Sequence, residues 1–92
     1  MNHYLLMYTV ASDYLERRGA YREEHLALAG KHHQNGDLLM GGALADPADR
    51  AILLFRGESP AAAEAFVRED PYVKNGLVRS WEIRKWTVVV GG

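Results

Sequence analysis

Leu38-Leu39-Met40-Gly41-Gly42-Ala43-Leu44 and Ala51-Ile52-Leu53-Leu54-Phe55, with the turn cluster Ala45-Asp46-Pro47-Ala48-Asp49 between them, decide how this chain folds. Each apolar run has strand length, and the Asp-Pro cluster reads as the bend of a hairpin. The apolar residues are consecutive rather than alternating, so both faces of these strands are apolar. An antiparallel sheet commonly leaves one face wet. A second apolar face therefore needs a cover, and apolar patches of that size usually mark association surfaces. Few residues remain elsewhere to supply the cover. The expected partner is a second copy of the chain, packed sheet face to sheet face as a homodimer.

A helix and then a strand are expected on either side of the hairpin. Upstream, Asn35-Gly36 is a left-handed helix stop. The helix formers before it reach back to Tyr14, interrupted by Gly19, and Asp13-x-x-Glu16 has the form of an N-cap with its return partner. One long helix with looser first turns is expected there, preceded by a strand over Tyr4 to Val10. Downstream, Ser59-Pro60 predicts a helix start, serine as cap and proline at the first helical position. That helix runs from Ala61 to about Glu69 and stops before Pro71, because the residue ahead of a proline is pushed out of helical geometry. Val78 to about Val90 supplies the last strand. The order is βαββαβ, an α+β ferredoxin-like fold with a four-stranded antiparallel sheet and both helices on one face.

At 92 residues the chain is read as a single domain, 1–92. Its net charge of −1 and lack of a basic cluster argue against nucleic acid. The strand Ala51–Phe55 also lacks the basic and aromatic residues of an RNA-binding sheet. There are no cysteines, hence no disulfide framework or thiolate chemistry. No apolar stretch approaches the ~20 residues that span a bilayer, so no membrane partner is expected. Met1-Asn2-His3-Tyr4 does not open a secretory signal, and a cytoplasmic location is the expectation.

Two motifs carry chemistry. Arg18-x-x-x-Arg22-x-x-His25 lies in the first helical segment, and Asp70-Pro71-Tyr72 closes the second. Imidazole titrates near neutrality and suits proton transfer; a carboxylate on one ring nitrogen would set the tautomer and leave the other for substrate. Asp70 at a helix C-terminus opposes the macrodipole, at roughly 0.3–1 kcal/mol. It is compensated either by capping a turn that starts at Pro71 or by pairing with His25, or by both with one oxygen for each. Arg22 could hold a carboxylate or phenolate beside the base, or lie in a solvated face paired with Glu16, Glu23 or Glu24. Arg18, about 10 Å of helical rise from His25, belongs to the same solvated face or reaches only the far end of a ring-sized ligand. Tyr72 lines the pocket or plugs the core. His32 and His33 are explained by exposure and the helix dipole, and the ~10 Å rise from His25 keeps them from sharing an ion with it, so no metal is expected. Trp81 and Trp86 fall on opposite sides of the last strand, in core or dimer packing.

The chain resembles the YciI-like (YCII-related) family of the dimeric α/β-barrel superfamily over nearly its full length. The carriers are Arg22-Glu23-Glu24-His25-Leu26, Asn35-Gly36-Asp37-Leu38, Leu39-Met40-Gly41-Gly42-Ala43, Glu69-Asp70-Pro71-Tyr72-Val73 with Asn75-Gly76-Leu77-Val78, and Trp81-Glu82-Ile83-Arg84-Lys85-Trp86. Gly42 and Lys85 depart from it, standing where the family often has proline. The resemblance implies a dimer with a His25–Asp70 pair in a cleft, binding a small-molecule ligand. It further suggests acid–base elimination or isomerisation of an anionic or phenolic compound, as by a lyase or isomerase, without a cofactor. Two alternatives stand beside this reading: a non-catalytic ligand-binding or interaction dimer, and a cofactorless oxygenase.

Overall fold

The structure, a computed structural model, describes residues 1–91. Its elements are strand β1 (Asn2–Val10), a short helix α1 (Tyr14–Arg17), a 3-10 turn (Arg18–Ala20) and helix α2 (Arg22–Gln34). Strands β2 (Leu38–Ala43) and β3 (Arg50–Gly57) follow, then helices α3 (Ala61–Glu69) and α4 (Pro71–Lys74) and strand β4 (Val78–Trp86). The four strands form one sheet in the order β2-β3-β1-β4, every neighbouring pair antiparallel. The expected α+β ferredoxin-like arrangement is the observed one.

Period-two alternation sorts the strands into two faces. Tyr4, Leu6, Tyr8 and Val10 of β1 are buried, as are Ala51, Leu53 and Phe55 of β3. They meet Ala63, Phe66 and Val67 of α3, Tyr72 of α4 and Leu77 in a single core. The other face carries Leu5, Met40, Ile52, Leu54 and Trp86 around an open groove of about 490 Å³. Both faces of the central strands are therefore apolar, as their consecutive apolar residues require. Trp81 stands opposite Tyr8 and Trp86 opposite His3, so the two tryptophans do lie on opposite faces. Both are about half exposed, which excludes the core as their place in this chain.

Several local expectations are corrected. The first helical segment is two helices, because the chain tightens to a 3-10 turn at Gly19 and leaves helical geometry at Tyr21 (φ −120°, ψ −2°). Glycine is the weakest helix former after proline, and the break falls beside it. Asp13 makes no capping bond; its carboxylate lies 3.8 Å from Arg17 instead. Ser59 Oγ does accept from the Ala61 N–H at 3.3 Å, although Pro60 lies just outside the helix rather than at its first position. The last strand ends at Trp86 rather than Val90. Among the described residues its only neighbour is β1, whose end is reached where His3 pairs with Trp86, so the following valines have no strand there to bond.

Candidate active site

The site forms where the α3–α4 junction faces α2. Asp70 is extended (φ −68°, ψ 119°), as a residue ahead of proline should be, and this turns its carboxyl back into the helix layer. There it is fully buried. Oδ1 accepts from the Tyr72 backbone N–H at 3.0 Å, capping α4, and contacts His25 Nδ1 at 2.8 Å. Both compensations foreseen for Asp70 hold at once, but not with one oxygen for each. Oδ1 serves both, because Oδ2 has a partner of its own: Tyr8, whose hydroxyl donates to Oδ2 at 2.7 Å from the middle of β1.

These contacts fix the protons. A carboxylate has only lone pairs to offer, so each partner must donate. Tyr8 remains a donor: burial above all, and then the charge of Asp70 and the hydrogen bond to it, push its hydroxyl far above the usual tyrosine range. His25 must likewise present a proton on Nδ1, which leaves Nε2 of the neutral ring as a free acceptor. The imidazole is also held in plane. It stacks on the Tyr72 ring at 3.9 Å and 9°, and Phe66 meets it edge-on at 5.9 Å.

His25 borders a cavity of about 380 Å³ together with Tyr8, Tyr14, Arg18, Arg22 and Tyr72. Leu38, Ala51 and Leu53 line its apolar side, and Gly41 and Gly42 of β2 its edge. Gly41 leaves room there: a Cβ would stand 3.1 Å from Leu53 Cγ, and that side chain would have to give by a few tenths of an ångström. Arg18 and Arg22 both reach the cavity, although no continuous helix joins them. Among the described residues neither makes an ion pair or a side-chain hydrogen bond, so the expected pairing with Glu16, Glu23 or Glu24 does not form. Arg18 instead rests 5.5 Å from the Tyr14 ring centroid, a cation–π distance. Tyr72 takes both roles foreseen for it: its ring packs in the core at 2% exposure, and it lines the cavity. Burial raises its hydroxyl pKa, with Tyr14 and Asp70 adding to the rise and Arg22 and Arg18 opposing it.

The structure thus brings together all five residues picked from the sequence. Two more, Tyr8 and Tyr14, were missed. The signal for Tyr8 was its place in the buried alternation of β1, since a buried tyrosine hydroxyl needs a partner.

His32 is a correction. It is buried, not exposed, with Phe55 and Phe66 edge-on to its ring and Nδ1 3.2 Å from Asp37 Oδ2. His33 does lie exposed, its Nδ1 bonded to the Leu38 carbonyl at 2.8 Å. Among the described residues no three histidine or acidic side chains gather closely enough to share a metal ion. Among the described residues no helix is long and apolar enough to cross a membrane.

Comparison with known proteins bears on this arrangement. The fold is similar to that of 5-chloro-2-hydroxyhydroquinone dehydrochlorinase from Burkholderia phenoliruptrix AC1100, solved in complex with 2,5-dihydroxybenzoquinone. The TM-score is 0.76 and the identity 21%, over 92% of this chain and 93% of that one. A protein from Agrobacterium tumefaciens is 14% identical with a TM-score of 0.62, over 97% of this chain and 94% of its own. A NIPSNAP domain protein from Burkholderia xenovorans is 12% identical with a TM-score of 0.59, over 97% and 95%. At these identities the likeness is one of fold. No curated protein matches the sequence. The profile of the YCII-related domain matches residues 1–87, and this chain belongs to the YCII-related domain family.

Proposed function

We propose that this chain is a small-molecule enzyme that uses His25 as general base in an elimination or isomerisation of an anionic or phenolic substrate. Asp70 orients His25 and stabilises the imidazolium that forms. Arg22 holds an anionic group beside the base, Arg18 takes the far end of the ligand, and Tyr72 forms the wall. In an elimination Nε2 accepts a proton from the substrate, the freed electron pair becomes a new double bond, and the leaving group departs with its own pair. In an isomerisation the same proton returns at another atom. This proton transfer needs no bound cofactor. The observation that carries the reading is a free Nε2 on an imidazole whose other nitrogen is held by a fully buried carboxylate, at a cavity with two unpaired arginines. The ring class is supported by the dehydrochlorinase of similar fold and the dihydroxybenzoquinone in its complex.

The test is turnover of chlorinated hydroxyhydroquinones, followed by chloride release. Wild type should release chloride, and His25→Gln should lower kcat by about 10²–10⁴-fold while 2,5-dihydroxybenzoquinone still binds. Binding without turnover in wild type would favour the non-catalytic ligand-binding reading instead.

The same proposal includes a homodimer formed through the open sheet faces, supported by the apolar groove among Leu5, Met40, Ile52, Leu54 and Trp86. Sedimentation at micromolar concentration should show twice the 10.3 kDa chain mass. A species of single-chain mass alone would refute it.

A further inference from the structure

Buried polar atoms are almost always paired. Among the described residues one side-chain atom breaks that rule, the hydroxyl of Tyr72. It cannot swing away to find a partner, because its ring is stacked on His25 at 3.9 Å and flanked edge-on by Tyr14 at 5.7 Å. Only rotation about its own C–O bond remains. The raised pKa keeps it protonated, and so a donor. The positive charges acting on that hydroxyl are Arg22 and Arg18, and neither has an anionic partner among the described residues. Tyr72, whose donor has no acceptor and lies closed off from water, and two cations without an anion therefore line one cavity. All three are met by a single negatively charged oxygen.

We propose that the Tyr72 hydroxyl, with Arg18 and Arg22, binds a ring-borne oxygen anion, a phenolate or enolate, on a planar substrate of about one ring. This rests on the reading of the cavity as the substrate site and adds the atoms that select the ligand. About 380 Å³ lies at the small end of ligand pockets. Its lining includes three rings, those of His25, Tyr72 and Tyr14. A phenolate oxygen projects in the plane of its own ring, so it can lead that ring into the space between them. A carboxylate can satisfy both its oxygens on the arginines alone, whereas the Tyr72 hydroxyl, the one unpartnered buried side-chain donor among the described residues, calls for a single oxygen at that depth. The hydroxyl is closed to water, so the incoming oxygen must displace a neighbour. Of the groups around it the arginine side chains are the longest and most flexible, and they carry the charge that would then close over the anion. When His25 removes a proton from the same ring, negative charge builds on that oxygen, where these donors stabilise it.

The experiment measures binding of 4-nitrophenol, whose phenolate absorbs apart from the neutral form, beside 4-nitrobenzoate and uncharged nitrobenzene. Wild type should bind the phenolate at least about tenfold more tightly than either comparison ligand. Tyr72→Phe keeps the stacked ring and should lose about tenfold for the phenolate, with nitrobenzene affinity unchanged as the internal check on folding. Arg18→Gln, a change at a half-buried side chain, should show the same selective loss and serves if the Phe variant does not fold. Equal phenolate affinity in wild type and these variants, or tighter binding of the benzoate, overturns the proposal. His25→Gln separates the two readings. Loss of chloride release in that variant while Tyr72→Phe binds phenolate normally leaves the acid–base function standing and removes only the oxygen site.

Discussion

His25–Asp70 and His32–Asp37 are both histidine–aspartate contacts made from α2, at 2.8 and 3.2 Å. Seven residues bring an α-helix round to nearly the same direction, so the two imidazoles share a face and both point into the helix layer. They differ in where the carboxylate comes from. Asp37 is five residues along the chain, reached around the turn at Gly36 (φ 87°), and is a third exposed, so water can replace its histidine. Asp70 is 45 residues away, fully buried, and gathers donors from β1, α2 and α4. The local pair ties a helix end to the strand that follows it. The long-range pair exists only when three elements have docked, and it alone borders the cavity. A histidine–aspartate contact is thus not a site by itself; what distinguishes His25 is a carboxylate closed to water and a free nitrogen at an open space.

The contrast is broken most directly by removing the two acids in turn. Asp70→Ala strips the acceptor from three donors at once and should cost about 3–5 kcal/mol in urea denaturation. Asp37→Ala should cost less than about 1 kcal/mol, since its carboxylate is partly solvated. Similar losses from both would erase the distinction.

Tyr8→Phe tests the less obvious arm of the Asp70 network. A hydrogen bond to a charged acceptor is worth about 1.5–3 kcal/mol, and a loss of that order is expected. Its pH dependence has a definite sign. The Tyr8 pKa is raised on folding, so the associated stability is fully present below the unfolded value near 10 and is lost as pH climbs beyond it. Wild-type stability should fall more steeply above about pH 10 than that of Tyr8→Phe; parallel curves would show that the Tyr8 proton is not held in the fold.

The smallest effect on turnover is expected at His32. His32→Gln removes a buried ring from between Phe55 and Phe66 and should lower stability by about 1–2 kcal/mol. Turnover should stay within about twofold of wild type. A loss of turnover as large as that of His25→Gln would give the second pair a part in the chemistry that its geometry does not suggest.

How far the sequence could be read depended on the range of the interaction. Asn35-Gly36, Ser59-Pro60 and Asp70-Pro71 all mark real element boundaries, because turn and proline chemistry acts over one or two residues. Asp13 did not cap its helix, since an exposed carboxylate with Arg17 one turn away has an equally good partner. The burial of His32 was within reach: it lies two turns from His25, so placing one on the core side places the other there too. Tyr8 was harder. Nothing in the alternation of Tyr4, Leu6, Tyr8 and Val10 separates the tyrosine that meets Asp70 from the one that does not.

The amino-acid order alone determined the βαββαβ succession and the apolar character of both sheet faces. These follow from hydrophobic period and from local backbone chemistry, which the chain carries with it before it folds. The candidate pair His25 and Asp70 with its neighbouring arginines was singled out by the resemblance of their motifs to the YCII-related family. Which oxygen of Asp70 meets which donor, the proton on Nδ1 of His25, the stack of His25 on Tyr72 and the unpartnered Tyr72 hydroxyl were decided only by tertiary structure. Each depends on distances between side chains tens of residues apart, and those are set when helices and sheet pack together rather than by any spacing along the chain.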